Sequence, residues 1–250
     1  MHPYLAEFIG TSILLLLGAG VVANVSLKKT NAENQDSWIL ITSAWGFAVF
    51  VAVFISTQYS GAHLNPAVTI GLAVAKKFSW SLVPQYLIAQ LAGAMFGSWL
   101  AYLTYIDHYR ETKDEDTVRA TFCTGPSIRN FKNNFFSEFI GTFVLVFGVF
   151  FIASPNIKIE GLITENFGLG AVDALPVGIL VWVIGISLGG TTGYAINPAR
   201  DFGPRTIYQL LPRKNKNPDW SYSWIPVFGP ITGGIAAGFF YLYIYPLLII

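Results

Sequence analysis

The chain has 250 residues, 53% of them hydrophobic and 12% charged, with a mean hydropathy of +0.52. Soluble domains carry roughly 25% charged residues, so an ordinary water-facing surface is excluded, and a helical integral membrane protein is favoured over a barrel, whose segments would alternate over about ten residues. The net charge of +1, from 15 basic and 14 acidic residues, excludes a strongly basic nucleic-acid binder and an acidic disordered tail.

In chain order, no Lys or Arg precedes the first apolar run and Glu7 lies inside its start, which is not the pattern of a secretory signal peptide. Spanning helices are predicted at 4–25, 38–57, 80–105, 134–154, 171–189 and 223–248, each near the roughly 20 residues needed to cross the hydrocarbon core. Segments 58–77 and 190–211 are too apolar for ordinary loops and too broken by Gly and Pro to span, so they read as re-entrant elements. The polar connections are 26–37, with Lys28, Lys29, Glu33 and Asp36, then 107–132, with five charges of each sign, then 212–219. The 107–132 stretch reads as a surface loop, either a gate or an outer-vestibule loop. Cys123 within it is the only cysteine, which allows no intrachain disulfide, and it reads as an inert thiol. Three scattered histidines give no metal site, and neither a P-loop nor a dinucleotide fingerprint occurs. No cofactor, no metal and no enzyme activity are therefore expected.

An internal repeat organises these elements. Ala6-Glu7-Phe8-Ile9-Gly10-Thr11 matches Ser137-Glu138-Phe139-Ile140-Gly141-Thr142, and Gly61-Ala62-His63-Leu64-Asn65-Pro66-Ala67 matches Gly193-Tyr194-Ala195-Ile196-Asn197-Pro198-Ala199. More weakly, Gly93 pairs with Gly233. The chain reads as one domain over 1–250 with two halves, about 1–105 and 133–250. Three spans per half place the second half upside down relative to the first, and such inverted repeats meet at broken helices near the bilayer midplane.

Each Asn-Pro-Ala triplet suits the start of a half-helix. Asn65 and Asn197 can cap it, and Pro66 and Pro198 at N1 lose no hydrogen bond. Half-helices are predicted at 66–76 and 198–209, meeting at their N-termini. Each terminus contributes roughly half a positive charge, which repels cations. The preceding stretches, 61–64 and 193–196, are expected to be extended, with carbonyls of Gly61, Ala62, His63, Leu64, Gly193, Tyr194, Ala195 and Ile196 lining a pore beside the asparagine amides. One triplet alone would be only a capping signal; two at matched positions of an inverted repeat are not. Glu7 and Glu138 lie inside spans, where ionisable groups mark functional candidates. Proton relay is one reading; hydrogen bonding to the re-entrant backbone, which has no other partner, is the favoured one. Gly93/Gly97 and Gly229/Gly233 have the spacing of close helix packing within the subunit.

These residues resemble the aquaporin superfamily, also called major intrinsic proteins, over essentially the whole chain. The resemblance implies an all-α membrane protein of six transmembrane helices plus two re-entrant half-helices, a pore in each subunit, a homotetramer, and both termini cytoplasmic in a plasma or bacterial inner membrane. In that topology the inner loops hold Lys76, Lys77 and Lys158, whereas the positive-inside rule prefers the reverse; the family topology is kept. The resemblance also places Trp45, Gly185, Tyr194 and Arg200 at an outer constriction, where glycerol-conducting members carry an aromatic, Gly, a second aromatic and Arg. Asp201, Arg205 and Pro226 match marks of the same branch, Val227 is a mild departure from its usual Leu or Ile, and His63 matches a pore-lining His. No cysteine stands near the second triplet, where mercury-inhibited members carry one.

The implied function is a passive channel for glycerol and small uncharged polyols, with some water. The alternatives are a water-selective channel of the same fold, against which Gly185 argues, a secondary transporter, which lacks a coupling-ion site beyond Glu7 and Glu138, and a structural membrane protein, which an intact constriction disfavours. The partners expected are these permeants, membrane lipid and further copies of the chain.

Overall fold

The computed structural model describes residues 1–35, 37–152 and 170–248. Among them are ten α-helices: α1 Pro3–Ser26, α2 Trp38–Ser60, α3 Pro66–Val74, α4 Val83–Thr104, α5 Ile106–Glu111, α6 Glu115–Ala120, α7 Phe131–Val149, α8 Leu175–Leu188, α9 Pro198–Leu210 and α10 Trp224–Leu248. Short 3₁₀ turns, Trp80–Leu82 and Gly170–Ala174, lead into α4 and α8. Five segments are long and apolar enough to cross a membrane. The sixth, α7, opens on Lys132, Asn133 and Asn134, which lower its average hydropathy. It starts three residues before the predicted 134; residues 153–154 of that prediction, like Asp36 and Lys158, lie outside the described residues.

Local chemistry sets the helix ends. Pro3 occupies the first turn of α1, Ser37 accepts from Leu40 N–H at the start of α2, and Asn130 accepts from Asn133 N–H at the start of α7, each filling or sparing an orphan donor. Pro226 lies in the first turn of α10, where it has no intrahelical acceptor to lose, whereas Pro204, Pro230 and Pro246 lie inside α9 and α10.

The two halves repeat their packing. α1 lies on α4 as α7 lies on α10, and α2 meets α8 between them. A Cβ at Gly93 would stand 2.4 Å from Phe8 O, and one at Gly233 2.3 Å from Phe139 O, so matched glycines let matched backbones touch. The half-helices cross over: α3 packs on α10 and α9 on α4, each against the last span of the other half. The chain is thus an all-α membrane fold with six long helices and two re-entrant half-helices in an inverted repeat.

Residues 107–132 are not simply a surface loop. α5 and α6 turn Tyr109, Val118 and Phe122 into a buried cluster with Ala23, Leu27, Tyr208 and Leu211. The charges cover the outside of this cluster, which is why the composition alone looked like a loop. Cys123 is buried with it, and burial pushes its thiol up to about 12, which keeps it protonated and unreactive.

Candidate functional site

Asn65 and Asn197 each bind in two directions. Asn65 Oδ1 accepts from Ala67 N–H at 2.9 Å, and Asn197 Oδ1 accepts from Ala199 N–H at 3.0 Å and Arg200 N–H at 3.2 Å. Asn65 Nδ2 then donates to Ile196 O at 2.8 Å, and Asn197 Nδ2 to Leu64 O at 2.9 Å. Each triplet therefore caps its own half-helix and ties the other half's backbone. An amide has two N–H groups, so each asparagine keeps a second one, and both residues line the cavity described below.

The segments before the triplets are not extended. Ala62, Leu64, Tyr194 and Ile196 have φ of 50°, 52°, 37° and 42°, and Gly61 and Gly193 have 78° and 79°. With positive φ at three of the four positions in each half, the backbone turns two successive N–H groups, those of His63 and Leu64 and those of Ala195 and Ile196, towards one point, forming an anion-binding concavity. A buried carboxylate fills each. Glu7 accepts from His63 N–H (2.9 Å), Leu64 N–H (2.7 Å), Ser60 Oγ (2.7 Å) and Gln90 Nε2 (2.7 Å). Glu138 accepts from Ala195 N–H (2.9 Å), Ile196 N–H (2.8 Å) and Thr192 Oγ1 (2.6 Å). Strain at non-Gly left-handed positions persists only where the surroundings over-determine it, and the carboxylates do that here. Ser60 and Thr192 were not singled out from the sequence, although they extend the repeat by one position at the same spacing; Gln90 carried no such signal.

Between the halves runs a cavity of about 320 Å³. Trp45 and Thr57 both line it, twelve residues apart on α2, so it extends about 18 Å along that helix at 1.5 Å per residue. Val49, Val53, Val68, Val177 and Val181 supply apolar lining, while the segments 61–64 and 194–197 supply polar backbone. At one end Trp45, Tyr194 and Arg200 converge, with the Arg200 guanidinium 4.0 Å from the Trp45 ring centroid. Among the described residues that guanidinium has no side-chain hydrogen bond, so its donors are available to a solute. His63 also lines the cavity; its Nδ1 lies 3.1 Å from Thr69 Oγ1 and its ring packs in a triad with Phe78 and Tyr86.

Gly185 is placed differently from the expectation. It is buried, Trp38 Nε1 donates to its carbonyl at 3.0 Å, and a Cβ there would lie 2.7 Å from Tyr194 Cζ. The room it leaves is filled by the Tyr194 ring, and it is Trp45, Tyr194 and Arg200, not Gly185, that line the cavity at this end. Asp201 and Arg205 do not reach the cavity at all. They form a fully buried ion pair at 2.8 Å behind it.

The sequence model of the family described as "Major intrinsic protein" matches residues 1–241. The chain belongs to the major intrinsic protein family. Among similar proteins, the "Probable glycerol uptake facilitator protein" of Thermotoga maritima is 51% identical, covering 98% of this chain and 100% of that one. The "Glycerol uptake facilitator protein" of Streptococcus pneumoniae is 49% identical over 95% of this chain and 97% of its own. The solved aquaglyceroporin from Plasmodium falciparum superposes with a TM-score of 0.83 at 31% identity, covering 99% of this chain and 97% of that one. Members of this family are passive channels, and the chain is a multi-pass membrane protein.

Proposed function

We propose that this family member is a passive channel for glycerol and other small uncharged polyols, with some water, that excludes ions and protons. The observation that carries the reading is the convergence of two aromatic side chains, Trp45 and Tyr194, with Arg200 at one end of the cavity, the Arg200 guanidinium stacked on the Trp45 ring with its edge donors open. A polyol is apolar along its carbon edge and hydroxylated along the other, so it exchanges its water shell for matching walls. At the midplane, Asn65, Asn197 and the carbonyls of 61–64 and 193–196 continue the polar track. The N-termini of α3 and α9 and the Arg200 charge oppose cations. Glu7, Glu138, Pro66 and Pro198 hold the re-entrant segments in shape. Coupled transport gains no support from the carboxylates, because among the described residues the hydrogen bonds on Glu7 and Glu138 go to the fold.

The single domain of 1–250, with halves 1–105 and 133–250, works as one pore in a homotetramer. It sits in the cell membrane with both termini cytoplasmic. The outward faces of α2 and α8, with Phe47, Ile179 and Val183 exposed, meet lipid or a second copy. The test is stopped-flow light scattering on proteoliposomes, with glycerol and then an impermeant osmolyte as the gradient. Fast glycerol entry, indifferent to proton or sodium gradients, is expected; uphill accumulation driven by either gradient would overturn the reading.

A further inference from the structure

The buried pair behind the constriction is bonded to completion. Asp201 accepts from Arg205 Nε (2.8 Å) and Nη2 (3.0 Å) and from Thr124 N–H (2.8 Å) and Oγ1 (2.7 Å). Arg205 Nη2 also donates to Thr124 O at 2.9 Å, and Nη1 donates to Pro218 O and to Asp219 O. All five guanidinium N–H groups are used. A buried ion pair adds little stability compared with apolar packing, but a fully satisfied network fixes geometry.

What it fixes is the outer loop. Thr124 lies against Gly193, whose hypothetical Cβ would sit 3.4 Å from Thr124 Cβ and Cγ2. Three residues on, Ser127 N–H donates to Thr191 O at 3.0 Å and Ser127 Oγ to Gly190 O at 2.8 Å. The chain at 124–127 is therefore held by α9 on one side and fastened along 190–193 on the other. Residues 190–193 lead directly into Tyr194. The first half has no counterpart: at the matching repeat positions Thr69 replaces Asp201 and Ala73 replaces Arg205. The device belongs only to the half that carries Arg200.

We propose that Asp201 and Arg205 are positioning residues for permeant selection: through Thr124 and Ser127 they clamp the outer loop against residues 190–193 and so set where Tyr194 stands opposite Arg200 and Trp45. This rests on the glycerol-channel reading. A width set this way discriminates between a thin solute, water, and a thicker one, a polyol, because only the thicker one needs both walls at fixed separation.

The experiment compares the parent with Asp201→Asn and with the double variant Thr124→Val/Ser127→Ala, all reconstituted in proteoliposomes and normalised to protein that elutes as folded on size exclusion. Water flux and the fluxes of glycerol, erythritol and xylitol are measured for each. A fall of about fivefold in the glycerol-to-water ratio is expected in both variants, equivalent to roughly 1 kcal/mol of barrier, together with a changed ratio along the three-, four- and five-carbon series. A merely structural role would lower all fluxes in proportion and leave the ratios alone, and that result overturns the proposal. If Asp201→Asn does not fold, the double variant decides, since it leaves the ion pair intact; parent-like ratios in it reject the clamp. A parent that passes no glycerol would instead reject the channel reading itself.

Discussion

A methyl group at Gly185 would stand 2.7 Å from Cζ and 3.0 Å from Oη of Tyr194, closer than a ring can tolerate without moving. Gly185→Ala is therefore expected to push the Tyr194 ring towards Arg200 and reduce glycerol flux several-fold while sparing water, and Gly185→His to do so more severely. Stopped-flow on size-exclusion-checked protein measures this, and parent-like glycerol flux in Gly185→Ala would show that the Tyr194 ring does not bound the narrowest point. Arg200 makes the complementary case. Its guanidinium rests on the Trp45 face and keeps its donors open, so Arg200→Val should retain glycerol flux yet admit a proton leak, visible with a pH dye inside the vesicles. A variant as proton-tight as the parent would assign exclusion to the two helix termini alone. Tyr194 and Arg200 were legible in the sequence because the second triplet fixes the register around them; Trp45 and Gly185, on other helices, came only from the family resemblance. The backbone that presents them was not: Ala62, Leu64, Tyr194 and Ile196 are left-handed without being glycine, and what holds them there is a carboxylate more than fifty positions away, which no local pattern announces.

At the scale of elements, helix contacts are set by glycines that differ sharply in what surrounds them. A Cβ at Gly97 would lie 2.1 Å from Ser12 O, whereas one at Gly20 meets nothing within 4 Å. Gly97→Ala should separate α1 from α4 and destabilise by about 1–3 kcal/mol. Gly20→Ala should stabilise α1 by up to about 1 kcal/mol through helix propensity. Thermal denaturation in detergent followed by size exclusion orders the two, and equal midpoints would contradict the packing described. The polar connections offer a test by pH. Burial raises the Asp219 carboxyl, but hydrogen bonds from Arg129 and Ser221 outweigh it and hold the group below the usual carboxylate range; Glu33, hydrogen-bonded by Lys28, and Glu111, by Lys29, are lowered too. A depressed native pKa gives stability that is present above the unfolded value of about 4 and lost as pH falls through the native one. Protection of residues 106–128 from hydrogen exchange, after correction for intrinsic rates, should thus stay flat from pH 8 to 5 and fall only below about pH 4; loss of protection near pH 6 would contradict it. The spans themselves were readable from hydropathy, within a few residues at their ends. α5 and α6 were hidden because each is six residues long and their stability comes from Tyr109, Val118 and Phe122 packing on Ala23, Leu27 and Tyr208, contacts between distant parts of the chain.

For the whole molecule, the reciprocal asparagine bonds carry a kinetic consequence. Each half holds a backbone carbonyl of the other through an amide proton, Asn65 to Ile196 and Asn197 to Leu64, and each half-helix is packed against the far half's last span. The two halves cannot rock against each other without breaking those bonds. A solute crossing such a frame meets the same walls at every instant, and only its own desolvation limits it. An Arrhenius plot of glycerol flux should therefore be straight and shallow, with an activation energy of only several kcal/mol, about tenfold in rate for each 1.4 kcal/mol at ambient temperature, and no break that would mark a conformational step. The cell that owns such a frame gains speed from it and no direction: whatever makes entry net inward has to lie outside the protein, in the removal of the solute once it has passed.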